Sequence, residues 1–347
     1  MKTCLDYIIE EFDADAARGA LIDLLNNEDT PSRTIQKIYL TAFDEEERNF
    51  IKWCQEEHNI SDKNAAEIVD RMRRIGNLEA IFHREDLAVL DFKDINSTNF
   101  NMYSTILKSA TGSEFIDNEL VHAIGALSGK DKADNGIGAG EYLVALFVRG
   151  ARMSGSSGGD HGDITINGNI HVEVKANQAR LNGQVASLQG EKVNSYVAQI
   201  ANKYGYDANK SPLSGSKSDL YNWMTKVDTD TLIQWFTEVL PFVYEEDTSE
   251  LEKNFIEFAK KHKPRNNKEA MMLMVFFCEY AYSTIDKFQY LLIFDKKSGN
   301  ACCIQTVFGG SNLDAMWSTN EQHIQMASGI NIKGREAAPQ LGSTPVK

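Results

Sequence analysis

Between Gly158 and Gln184 the chain reads GGDHGDITINGNIHVEVKANQARLNGQ, and three residues in it could act together: Asp163, Glu173 ten positions on, and Lys175. Two carboxylates held close repel each other, and one lysine offsets only part of that repulsion. A hard divalent cation with oxygen ligands resolves the conflict, and magnesium suits one or two carboxylates together with phosphate oxygens. Such an ion lowers the pKa of its water and polarises a phosphate ester. The lysine can orient the attacking water, help deprotonate it, or steady charge on the phosphate. The chemistry these types suggest is metal-assisted hydrolysis.

Whether the three side chains can meet depends on the local fold. Ile164, Ile166, Ile170, Val172 and Val174 alternate with polar residues, a period of two that marks strands. Asn167-Gly168-Asn169 supplies the turn. A three-residue loop sets Ile166 against Ile170 and Ile164 against Val172, with Asp163 across from Glu173. A two-residue Asn-Gly loop would set Ile164 against His171 and mix the faces. The pattern therefore predicts the longer loop, with a left-handed glycine. In that register the carboxylates lie on one face at roughly 5 Å between β-carbons. Lys175 shares the face by alternation.

An Asp on one strand and Glu-x-Lys on the next resembles the restriction-endonuclease-like, PD-(D/E)xK nuclease superfamily. The likeness is close over Glu141–Gln184 and looser as far as the later strands. It implies an α/β fold, a mixed central sheet flanked by helices, and magnesium- or manganese-dependent hydrolysis of DNA. It further implies Asp163, Glu173 and the backbone carbonyl of Val174 as metal ligands. A helix before the Asp strand often adds a glutamate in that superfamily, and Glu141 opens such a helix here. Beyond the lysine, Arg180 and Gln184 stand where members carry substrate-side residues. Gly162 precedes Asp163 where the family name has proline. Asp160 and His161 are a competing acid and a nearby histidine, but Asp160 lies before the alternating run. The competing structural reading makes Asp163, Glu173 and Lys175 solvent-facing residues of an amphipathic hairpin. The glycines at 150, 155, 158, 159, 162 and 168 speak against it.

Other chemistries fit less well. Gly136, Gly138 and Gly140 look like a phosphate cradle, but no Gly-Lys-Ser/Thr follows and no predicted strand leads in. The five cysteines, Cys4, Cys54, Cys278, Cys302 and Cys303, lack zinc-site spacing. A net charge of −14 argues against a protein that coats nucleic acid non-specifically. Around the candidate core the charge is nearly balanced, with Arg152, Lys175, Arg180, Lys192 and Lys203 against Asp160, Asp163, Glu173 and Glu191.

Residues 1–105 read as a helical domain, with apolar patches at Leu5–Ala20, after Thr30-Pro31, at Phe50–Cys54 and at Ala65–Met72. A softer stretch follows from Asp94 to Ser113, then a helix over Glu114–Leu127. The nuclease-like domain spans 106–333, with a helical insertion over about 191–285. Met271–Tyr282 reads as a buried helix, too short for a bilayer. Phe288–Phe294 and Cys302–Phe308, joined by DKKSGNA, form a hairpin. Residues 334–347 read as a flexible tail. No leader is expected, which implies a cytoplasmic, reducing setting with no membrane partner. Cutting both strands of DNA often calls for two active sites, so a homo-oligomer is one expectation. A second reading is a phage structural or assembly protein that keeps the fold without depending on cleavage.

Overall fold

The first described helix begins with a reciprocal cap. The Asp44 carboxylate accepts the N–H of Glu47, and the Glu47 carboxylate accepts that of Asp44, both at 2.9 Å. Helix α1 (Glu45–His58) ends at Asn59, α2 (Asp62–Ile75) follows, and α3 (Phe92–Ile95), α4 (Met102–Ser109) and α5 (Asn118–Ala126) come later in the chain. The computed structural model describes residues 43–75, 87–95, 99–110, 118–130, 136–154, 162–176, 202–205, 217–243, 249–323, 331–333 and 336–338. The helices read from the sequence before residue 43 lie outside them.

A mixed six-stranded sheet is the centre of the molecule, in the order β1 (Asn99–Asn101), β8 (Asn300–Gln305), β7 (Tyr290–Phe294), β6 (Ile170–Ala176), β5 (Ile164–Ile166) and β4 (Ala151–Met153), while β2 (Gly129–Lys130) and β3 (Gly136–Ile137) pair separately. Strands β4 (Ala151–Met153), β5 (Ile164–Ile166) and β6 (Ile170–Ala176) form an antiparallel meander. Strand β7 (Tyr290–Phe294) lies parallel to β6, and β8 (Asn300–Gln305) returns antiparallel beside it. A parallel neighbour needs a long crossover. Here it includes α7 (Lys217–Lys226), α8 (Thr229–Val243), α9 (Ser249–Lys261) and α10 (Asn267–Asp286).

The predicted hairpin register is present: Ile164 pairs with Val172 and Ile166 with Ile170. Gly168 takes the left-handed conformation at φ 74°, and Asn167 joins it at φ 51°. The hairpin is not the half-solvated ribbon of the competing reading, because all three residues of β5 are buried. Ile164, Val172, Val174, Leu292 and Cys303 face one core together with Phe50, Val69 and the wholly buried helix α6 (Glu141–Phe147). The boundary read near residue 105 therefore does not divide the apolar core. Leu291, Ile293, Cys302 and Ile304 face the other way and are equally buried. Cys302 and Cys303 are both interior for this reason.

The edges are closed by specific contacts. His58 Nδ1 lies 3.1 Å from the carbonyl oxygen of Ala151, and Asn59 Nδ2 donates to that of Met153 at 2.9 Å. The outer carbonyls of β4 are thus occupied by the end of α1, so this edge offers little template for another strand. At the opposite edge, β1 (Asn99–Asn101) pairs with β8 and leads into α4 (Met102–Ser109). Both lie in the stretch read as soft. Three residues are too few for a strand period to register, and the cap that starts α4, Asn101 accepting the Ser104 N–H, is a single side chain. Three residues of the tail read as flexible, Glu336, Ala337 and Ala338, pair with Lys333, Ile332 and Asn331 in a small hairpin. Among the described residues no helix is long and apolar enough to cross a membrane.

Candidate active site

Strand β5 stops where β6 continues, and the candidate residues gather at that break. Gly162 turns the chain at φ 69°, and a β-carbon there would come within 2.9 Å of the Val172 carbonyl oxygen. Only glycine fits that turn. Asp163 then makes the last backbone link, its N–H donating to Val172 at 3.0 Å and its carbonyl accepting from Ser154 at 2.9 Å. The next N–H of β6 on this edge belongs to Val174, and it donates to Asp163 Oδ2 at 2.9 Å. A side chain has taken over a rung of the ladder. By strand alternation the Val174 carbonyl lies on the same edge as its N–H.

Glu173 and Lys175 share the face away from the first core. Glu173 is 3% exposed and accepts from both the Lys175 ammonium and the Tyr282 hydroxyl. Lys175 Nζ also stands 3.8 Å from Asp163 Oδ2 and 5.3 Å from the centre of the Tyr282 ring. Glu141 approaches from α6. Its carboxylate bends back to accept the N–H of Gly138, where a β-carbon would sit 2.8 Å from Glu141 Oε1. One of the glycines that resembles a phosphate cradle serves instead to seat Glu141.

The electrostatics are those of crowded acids. Loss of water, and then the Glu173 charge, push Asp163 up to about 7. Loss of water and the Asp163 charge push Glu141 up to about 9. Burial alone would lower the Lys175 amine, but Glu173 and Asp163 outweigh it and hold the amine well above its usual range. Burial, then Glu173, raise the Tyr282 phenol.

Asp163, Glu173 and Lys175 are therefore brought together, with Glu141 within their field. Among the described residues no three or more His, Cys, Asp or Glu side chains converge as a ready metal cage. The oxygen donors at the break are two carboxylates and one backbone carbonyl, and the ammonium stands between the carboxylates. Arg180, Gln184, Asp160 and His161 lie outside the described residues. Lys296 and Lys297 are exposed in the β7–β8 turn. Sequence reasoning missed Tyr282, which lies 109 residues from Glu173 in a helix read only as buried. No local pattern distinguishes it from its apolar neighbours. No family model matches the chain, and no match was found among the curated proteins or the solved structures.

Proposed function

We propose that the chain is a divalent-metal-dependent nuclease of the PD-(D/E)xK type that hydrolyses phosphodiester bonds in DNA. The observation that carries this reading is the meeting of Asp163, Glu173 and Lys175 at the broken rung between β5 and β6. The antiparallel β4–β6 meander, followed by a helical crossover to a parallel β7, fits a restriction-endonuclease-like core with a helical insertion.

The donor set suits magnesium or manganese, since every candidate ligand is a hard oxygen. Carboxyl groups forced up in pKa by burial and then by a neighbouring carboxylate are also the groups a cation would relieve. Asp163, Glu173 and the Val174 carbonyl would hold the ion, with Glu141 as an accessory ligand. Bound there, it would supply Lewis acidity toward the phosphate and a more acidic water.

The chain's own groups divide the remaining work. The Asp163 Oδ2–Val174 N–H bond fixes one carboxylate against the strand. Tyr282 and Lys175 fix the other. Lys175 is cationic at neutral pH and lies between the acids. It can turn its ammonium toward a phosphate oxygen or an attacking water once the carboxylates are occupied. Arg180 and Gln184 remain substrate-side candidates by resemblance.

The decisive experiment is cleavage of plasmid, linear and single-stranded DNA by purified protein in Mg²⁺ or Mn²⁺ and in EDTA. Lys175→Ala and Asp163→Ala run alongside. Metal-dependent cutting that falls by roughly a hundredfold or more in both variants supports the reading. No cutting on any substrate, with no metal binding by calorimetry, overturns it and leaves a structural or assembly role.

A further inference from the structure

Beside the carboxylates, the same face of the sheet continues as a polar strip across three strands. His171 precedes Glu173 by two positions on β6 and so shares its face. Thr165 of β5 pairs with His171, and Arg152 of β4 pairs with Thr165. Hydroxyl and imidazole groups form a chain along this row. Ser154 Oγ is 3.1 Å from Thr165 Oγ1, which is 3.4 Å from His171 Nδ1. Arg152 is exposed, while its neighbours Ala151 and Met153 turn into the core.

The rest of this face is apolar and covered. Leu291, Ile293, Cys302 and Ile304 on β7 and β8 are all 0% exposed. The sheet face therefore changes character at β6, from packed hydrocarbon to a row of donors that abuts the acids and Lys175. A merely solvated strand needs charge or polarity toward water, but not a row of polar groups lined up beside two carboxylates.

We infer that Arg152 and His171, with the buried Thr165 between them, form a subsite for the DNA phosphate next to the one being cut, an inference that rests on the nuclease reading. Arginine recognises phosphate oxygens without reading bases, and a guanidinium can do so with two parallel bonds. The row starts at His171, one along-strand step of about 7 Å from Glu173, and then crosses to Arg152 two strands away at about 4.8 Å per strand. The first step is close to the separation of successive phosphates on a nucleic-acid chain, and the long Arg152 side chain extends the reach from there. A chain of net charge −14 has no general attraction for DNA, so local cations beside the site must hold the backbone.

The test uses Arg152→Ala, Arg152→Glu and Arg152→Lys in the full chain, with cleavage kinetics and anisotropy of a fluorescein-labelled DNA duplex in EDTA across a salt series. The exposed position keeps folding intact, as circular dichroism will check. Arg152→Ala should raise KM roughly five- to tenfold with kcat little changed. It should also flatten the slope of log affinity against log salt by about one. Arg152→Glu should be worse, and Arg152→Lys should recover part of the loss. An active parent whose Arg152→Glu variant keeps its KM and salt slope overturns the subsite and leaves the nuclease standing. A parent that neither cuts nor binds DNA overturns both.

Discussion

Asp163 Oδ2 accepts the N–H of Val174 at 2.9 Å, at the point where strand β5 has ended and β6 still offers a donor. One carboxylate thus has two duties. It closes the sheet's hydrogen bonding and it stands 3.8 Å from the Lys175 ammonium as part of the candidate site. The second face of the break is set by Glu173, and Glu141 enters from a helix on the first. Folding and chemistry share a residue here, and substitution can separate them.

Asp163→Asn keeps an oxygen for the Val174 N–H and removes the charge. It should fold like the parent and lose DNA cleavage. Asp163→Ala leaves that N–H without its partner, at a cost of about 1–3 kcal/mol. Urea denaturation of both variants measures the difference. Equal stability of the two would mean that the Asp163–Val174 bond contributes nothing to the fold.

Tyr282→Phe removes the hydroxyl that donates to Glu173 and keeps the ring beside Lys175. With Glu173 buried, the lost bond should lower stability by about 1–3 kcal/mol. It should also loosen the carboxylate, weakening magnesium binding by several-fold and cleavage with it. Isothermal titration with Mg²⁺ gives the binding directly. Unchanged metal affinity in a stable variant would assign Tyr282 to packing alone.

The sequence carried the hairpin, its register and the trio Asp163, Glu173 and Lys175, because a two-residue period and a glycine turn are local signals. The Phe288–Phe308 hairpin was legible for the same reason. Tyr282 was not, since its role depends on α10 crossing over Glu173, a contact no spacing encodes. The glycines before Glu141 were visible, but their use was hidden: Gly138 leaves room for a carboxylate to bend back onto its own loop. β1 escaped because a three-residue edge strand shows no alternation. The core shared by α1, α2 and the sheet is likewise a tertiary fact.

The edge contacts at β4 allow a test of the fold independent of chemistry. His58 meets the Ala151 carbonyl at 3.1 Å and lies edge-on to Trp53, with ring centres 4.4 Å apart. His58→Ala should leave that carbonyl unpaired and open a small void, lowering stability by about 1–3 kcal/mol. Cleavage under conditions where the protein stays folded should be unaffected. A denaturation midpoint equal to the parent's would show that the edge needs no cap.

The crowded acids make stability depend on pH in a direction opposite to ordinary salt-bridged carboxylates. Asp163 rises from 3.8 to about 7 and Glu141 from 4.5 to about 9, each through loss of water first and a neighbouring carboxylate next. At these two groups the folded chain holds more protons than the unfolded chain between about pH 4 and 9, so their contribution to stability falls as pH rises through that window. In EDTA, the Tm gap between Glu141→Gln and the parent should widen in favour of the variant as pH is raised. Mg²⁺ should narrow it by stabilising the ionised parent. A gap that stays constant with pH in EDTA would mean that Glu141 ionises freely in the folded protein, held up neither by burial nor by Asp163.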